Sequence, residues 1–202
     1  MKSLLLKEYY TLKKQIPLFL FVSAMFSMFK GSFALYSVIY AALLPITAIA
    51  YDERSKWDTL AAAMPYTASE LVLSKYIVGW ISITAAAVVS TVVRKLLFAF
   101  SNGAVGESGD VLSLALPGII TALLIMSIVI PVIMKFGVEK GRLIYSLILG
   151  FCVAAIAVAG RILTDASAKF GLEHIIWAAV VILLNAASVG ISVLFYKKHN
   201  RA

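Results

Sequence analysis

The sequence predicts an all-α, polytopic membrane protein. It forms a single transmembrane domain over 1–202, with six transmembrane helices, an N-terminal amphipathic interfacial helix and a short cytoplasmic helix between spans 2 and 3. Three observations lead there. Hydrophobic residues make up 62% of the 202 and charged residues only 14%, whereas soluble domains are about half apolar and a quarter charged. Runs of about 20 apolar residues, the length that crosses a bilayer, recur along the chain. Several are helix-length and lack the weak alternation of a barrel strand, so helices are the spanning form that satisfies the backbone in lipid.

The first 15 residues, "MKSLLLKEYYTLKKQ", are not a signal peptide, because charges and tyrosines interrupt a short apolar run. At helical spacing Leu5, Tyr9, Leu12 and Ile16 share one face, with Lys7 and Lys14 nearly opposite. Residues 1–15 are therefore expected to lie in the inner interface. A plain lead-in to the first span is the alternative. The spans follow at about 16–31, 32–51, 71–93, 111–134, 143–160 and 175–196. Between the third and fourth lies "SNGAVGESGD", Gly-rich and polar, as an exposed loop would be. The fourth and fifth are joined by the short basic turn "KFGVEKGR".

Charge sets the orientation. With the N-terminus inside, only Lys30, Arg94, Lys95, Arg161 and Lys169 of the 18 Lys and Arg fall outside. This strong bias places both ends in the cytoplasm. It also accounts for the net charge of +8 without nucleic acid as a partner. The lone Cys152 lies in an apolar run and has no intrachain partner.

The stretch "AYDERSKWDTLAAAMPYTASELVLSKY", Ala50 to Tyr76, separates two apolar runs. Ser55 to Asp58 fits the [ST]-x-x-[DE] capping pattern, and Pro65 disfavours helix at Met64. A short helix over 55–64 follows, with Trp57, Leu60, Ala61 and Met64 able to share a face. Thr67 to Glu70 repeats the pattern and opens the third span. A helix this short is marginal alone. Physics leaves two readings open: a surface connector, or a docking element.

Other functions find little support. No G-x-x-x-x-G-K-[ST] phosphate loop and no H-E-x-x-H motif occurs. By this topology His174 and His199 fall near opposite faces, so an intramembrane enzyme lacks its parts. No acidic residue lies centrally in a span, which disfavours an ion-coupled carrier. Arg94 follows about 23 residues of the third span. It is either an outer anchor or a lining residue at the outer mouth of a pathway. Asn185, midway along the sixth span, is either an interhelical hydrogen-bonding group or a substrate contact. Gly150 and Ala154, like Ala186 and Gly190, have the spacing of close helix packing.

"DERSKWDTLAAAMP", followed by "SELVLSKY", resembles the ABC-2-type permeases, the membrane subunits of ATP-driven exporters. "KFGVEKGR" resembles their connection between fourth and fifth spans. The compact six-span branch that exports peptide antibiotics and amphipathic toxins such as phenol-soluble modulins is the most similar. The resemblance implies a bacterial plasma-membrane permease pairing with a second permease subunit, identical or related. Each would engage a separate ATPase that holds the ATP and magnesium; this chain would hold no cofactor or metal and catalyse nothing. The helix near 55–64 would be the coupling helix. Trp57, Leu60, Met64 and Pro65 would form its apolar part, with Asp52, Glu53, Arg54, Ser55 and Asp58 as polar contacts. The cargo would be an amphipathic peptide or lipid-like molecule. A resistance or immunity subunit that binds peptide antibiotics without net transport is the alternative.

Overall fold

The computed structural model describes residues 1–29, 33–100, 116, 118–138, 146–147, 150 and 172–199. Among these there is helix and turn but no strand. The helices are α1 (Lys2–Leu12), α2 (Ile16–Met28), α3 (Phe33–Ala41), α4 (Leu44–Arg54), α5 (Trp57–Ala62), α6 (Ala68–Phe100), α7 (Gly118–Val138) and α8 (Leu172–His199). Among the described residues three segments are long and apolar enough to cross a membrane: Ala68–Phe100, Gly118–Val138 and Ala179–Lys197. They correspond to the third, fourth and sixth expected spans. The fifth, 143–160, lies almost wholly outside the described residues. The first appears as α2, apolar but 13 residues long. At 1.5 Å per residue that is about 20 Å, short of the roughly 30 Å hydrocarbon layer.

The expected second span, 32–51, is not one helix. It breaks at Ala42–Leu43 into α3 and α4. The cause is Pro45, which has no N–H for the carbonyl of Ala41 and whose ring crowds it. The chain closes the gap with tighter bonds, Ala42 N–H to Ile39 O (3.1 Å) and Leu43 N–H to Tyr40 O (3.1 Å). The Ala41 carbonyl that Pro45 cannot serve is met from another helix: Ser82 Oγ lies 3.0 Å from it and 2.8 Å from Gly79 O. The broken strut is thus repaired across the α3–α6 contact.

α6 is the central post. It runs 33 residues, so Arg94 and Lys95 continue the helix rather than end it. α1, α2, α3, α4 and α8 all pack on it. Gly79 is where that packing is tightest. A Cβ there would stand 2.5 Å from both Sδ and Cε of Met126 on α7 and 3.3 Å from Cγ of Pro45 on α4. The core around it contains Val38, Ile46, Tyr76, Ile83, Met126 and Ile130.

Hydroxyls bind the helices where apolar contact alone gives no preference over lipid. The inward stripe of α2 is Phe19, Ser23 and Ser27. Ser23 Oγ donates to Ser37 O and Ser27 Oγ to Ser90 O, each at 3.0 Å. Its outward residues Leu18, Phe21 and Met25 are exposed, as a lipid-facing side would be. On α8, Ser188 Oγ donates to Ser127 O of α7. That commits its proton, so the fully buried Tyr76 must donate to Ser188 Oγ (2.7 Å) and accept from Ser192 Oγ (2.9 Å). A directed chain, Ser192 to Tyr76 to Ser188 to Ser127 O, therefore joins α6, α7 and α8, and such chains reinforce each other.

α1 departs from its expected face. Leu4, Glu8 and Leu12 are buried, while Tyr9 is exposed and Leu5 half-buried. The inward stripe is turned by one residue and carries a carboxylate at its centre. The partners of Glu8, described below, make that burial possible.

Two outcomes check this packing. Ser82→Ala should lower stability by about 1 kcal/mol, the net worth of a buried hydrogen bond, while Ser82→Thr keeps most of it, as read by thermal unfolding in detergent. Gly79→Leu should cost about 3 kcal/mol by overpacking, and Met126→Ala in that background should recover part of the loss.

Candidate functional site

One end of the bundle gathers α1, the C-terminal ends of α4, α7 and α8, the whole of α5, and the start of α6. They enclose a crevice of about 140 Å³ whose walls include Glu8, Asp52, Trp57, Lys75, Gly137 and Tyr196. The last turn of α4 reads "YDER". Two carboxylates there face the negative end of the helix dipole, so each needs a compensating partner.

Asp52 finds two. Its Oδ1 takes Lys7 Nζ and its Oδ2 takes Lys75 Nζ. Glu8 Oε1 bridges the same pair, meeting Lys75 Nζ and lying 3.1 Å from Lys7 Nζ. Two ammonium groups and two carboxylates thus close a neutral ring across α1, α4 and α6. It is dry on its inner side, with side-chain exposures of 2% for Glu8, 6% for Lys75 and 10% for Asp52, against 20% for Lys7. Glu8 Oε2 is buried and makes no hydrogen bond among the described residues. Asp52, expected at a partner's surface, is therefore turned inward.

Glu53 is tied elsewhere. Its Oε2 accepts the Val138 N–H at 2.7 Å. Gly137 takes the left-handed φ of +77° that ends α7 and favours glycine. A Cβ at Gly137 would lie 3.4 Å from Glu53 Oε1. The "FGV" of the α7 turn and the "DE" of α4 are thus one hydrogen-bonded unit.

α5 hangs from this unit. It is six residues long, Trp57–Ala62, shorter than the expected 55–64, and its N-cap is Lys56 rather than the expected Ser55. Ser55 stays in right-handed helical geometry as the C-cap of α4, and its Oγ donates back to Asp52 O (3.2 Å). The break comes at Lys56, a non-glycine residue at φ 51°. The second box does form: Thr67 N–H donates to Glu70 Oε2 (3.0 Å) and Glu70 N–H to Thr67 Oγ1 (3.3 Å). Thr67 can cap because a non-helical turn, closed by Tyr66 N–H to Met64 O, precedes it; Ser55 cannot because it still ends α4.

The four residues expected on one α5 face divide. Ala61 is buried, and Trp57 is half-buried with Lys7 Nζ 4.6 Å from its ring centroid, a cation–π contact. Leu60 and Met64 are 54% and 40% exposed. Arg54, Thr59, Ala63 and Pro65 are exposed beside them, and the Asp58 side chain lies outside the described residues. Lys7 therefore serves the ring and Trp57 together, and Ser3 Oγ bonds Tyr66 OH (3.0 Å) beyond α5.

Arg94 and Asn185 are apart from this site. Arg94 is half-buried, 19 positions beyond Lys75 on the same helix, or roughly 28 Å at 1.5 Å per residue. Asn185 is buried between α8 and α7, its Nδ2 donating to Leu123 O (3.3 Å) and Val181 O (3.1 Å). That is the interhelical bond weighed above. Among the described residues no group of His, Cys, Asp and Glu could hold a metal ion. Glu8, Lys7, Lys75 and the Gly137–Val138 turn were missed as site residues. The signal for Glu8 was its place between Leu4 and Leu12 on one helical stripe.

Removing one member of the ring leaves an uncompensated buried charge. Lys75→Met should lower stability by about 3–5 kcal/mol, and Lys7→Met by less because Lys7 is wetter. Adding Glu8→Gln to Lys75→Met leaves one cation and one anion, and should recover a measurable part of the melting temperature.

A family model described as "ABC-2 family transporter protein" matches residues 3–197, from the start of α1 to the end of α8. No curated protein and no solved structure matches the chain. With a nearly full-length match and several membrane-capable helices, the chain belongs to the ABC-2 transporter family, as a membrane permease subunit of an ABC transporter.

Proposed function

We propose that this permease is driven by a separate ATPase subunit docking on α5, and that it moves amphipathic peptides out of the cell. The observation that carries the docking is the division of α5. One side is fastened inward by Ala61, Trp57 and Lys7, while Leu60 and, in the turn just past the helix, Met64 are exposed. Large apolar side chains clustered on so short an element fit a groove better than water. Arg54 flanks them as a polar contact. In this reading Asp52, Glu53 and Trp57 serve the partner indirectly, by setting the position of α5.

The fastenings give the mechanism. ATP-driven closure of the partner displaces α5. α5 is fused to α4 and, through Thr67–Glu70, leads into α6; the ring ties both to α1, and Glu53 ties α4 to α7. A push on α5 therefore moves four helix ends together rather than bending a loop. The pathway shifts between inward- or laterally open and outward-open states. In this reading the chain has six spans with both termini in the cytoplasm of a bacterium, and works beside a second permease subunit. The energy-yielding step, with ATP and magnesium, resides in the ATPase. Amphipathic cargo suits a bundle whose cytoplasmic end carries both ionic and apolar crevices.

The test is co-expression with the cognate ATPase. Leu60→Asp with Met64→Asp should reduce co-purified ATPase at least tenfold while the permease keeps its melting temperature, since both side chains are exposed. ATP-loaded inside-out vesicles should accumulate a labelled amphipathic peptide with wild-type protein and not with the variant. Unchanged ATPase recovery would overturn the docking. Peptide binding without ATP-dependent accumulation would overturn export in favour of an immunity role.

A further inference from the structure

A second crevice, of about 180 Å³, shares Glu8 with the first and lies among α1, α2, α3, α4 and α6. Leu5, Leu12, Phe19, Leu44, Val78 and Ile81 form its walls. For scale, an apolar cavity of roughly 150 Å³ holds a benzene molecule. Its polar neighbours are few. Ser82 shares its hydroxyl proton between two carbonyls. Glu8 meets its two lysines through Oε1, while its Oε2 is a buried acceptor with no hydrogen bond among the described residues, which disfavours an anion inside the crevice. The rest of the lining is apolar apart from Tyr9, so what fills the body of the crevice is hydrocarbon. Ile81 and Tyr9 on its lining are 60% and 53% exposed, so the space opens outward rather than being sealed.

Charge supplies the other half of the ligand. Lining residues Leu12 and Ile16 flank the turn that carries Lys13 and Lys14, both exposed. Among the described residues neither makes an ion pair. A hydrocarbon slot beside two uncommitted cations matches an anionic amphiphile. α1, with exposed Tyr9 and Tyr10, has the character of a helix at the membrane interface. We propose that this crevice holds one acyl chain of an anionic phospholipid from the leaflet in which α1 lies, with its phosphate against Lys13 and Lys14. Such a lipid would fill the seam between α1 and the bundle, directly behind the ring that positions α5.

Native mass spectrometry of the full chain tests this, after exchange into nanodiscs of phosphatidylglycerol, of phosphatidylcholine, or of both. The wild type should retain one phosphatidylglycerol per chain in preference to phosphatidylcholine. Each lysine near an anionic phosphate contributes roughly a fivefold factor, so Lys13→Gln with Lys14→Gln should reduce that preference by at least tenfold. Ile81→Trp, which narrows the crevice at an exposed position, should remove the retained lipid, and Leu20→Trp should do the same from the α2 side. Leu18→Trp, exposed but off the lining, should leave it bound. The readout needs no ATPase, so it fails or succeeds independently of export. Equal retention of the two lipids, loss in Leu18→Trp as in Ile81→Trp, or an amphipathic peptide bound in place of any phospholipid would each overturn the assignment.

Discussion

The structure depends on a constraint that a membrane makes severe: a charge removed from water must be balanced where it lies. Glu8, Asp52, Lys7 and Lys75 satisfy it together and not in pairs. Each carboxylate meets both ammonium groups, so no member can leave without exposing two others. Desolvating four charges costs several kcal/mol per ion, and their attraction in a low dielectric returns that only when the geometry is good. Such a ring is a weak source of net stability and a strong source of uniqueness. Hydrophobic contact would let α1 slide or rotate on α6; the ring permits one register. It also explains why α1 shows a different face from the one its apolar spacing suggests.

The same logic of compensation recurs in neutral form. Pro45 breaks the second expected span and orphans the carbonyl of Ala41, and Ser82 supplies the missing donor. α6 can come close enough to do so because Gly79, one turn before Ser82, has no side chain to hold α4 and α7 away. Proline, glycine and serine thus act as one device at the α4–α6–α7 crossing. A few ångströms further along, the Tyr76 chain joins α8 to the same post. The central post therefore carries an ionic clasp, a directed hydroxyl chain and a proline repair within two turns either side of Tyr76. The outward side chains of α2 and α8, by contrast, have no such obligations and are greasy.

Much of the fold was legible, for physical reasons. Helical class follows from composition and run length. The short element after the second span, its end before Pro65 and the Thr67–Glu70 cap follow from local backbone chemistry, and so does the Gly137 turn. What failed was whatever depends on distant partners. Glu8 reads as a solvated charge until Lys75, 67 positions away, is placed beside it. Ser55 fits a capping pattern, yet the pattern cannot say whether the preceding helix has already stopped. Lys56 at φ 51° is visible only in the backbone. Trp57 and Leu60 look alike as apolar residues on one stripe, and only the position of Lys7 separates the one facing in from the one facing out.

This division of α5 bears on how force could pass through so short a helix if a partner docks there as proposed. A six-residue helix is too short to hold itself together, so if only Leu60 and Met64 were grasped it would unravel before it moved anything. Trp57 under Lys7, Ala61 in the core, Ser55 on Asp52 and the Thr67–Glu70 cap anchor both of its ends. Displacing α5 then means displacing Asp52, and displacing Asp52 means moving Lys7 and Lys75 with it or opening the ring. Opening the ring is the expensive alternative, so concerted movement of α1, α4 and α6 is the cheaper path. The buried charges thus give the end of the bundle the stiffness that its shortest helix lacks.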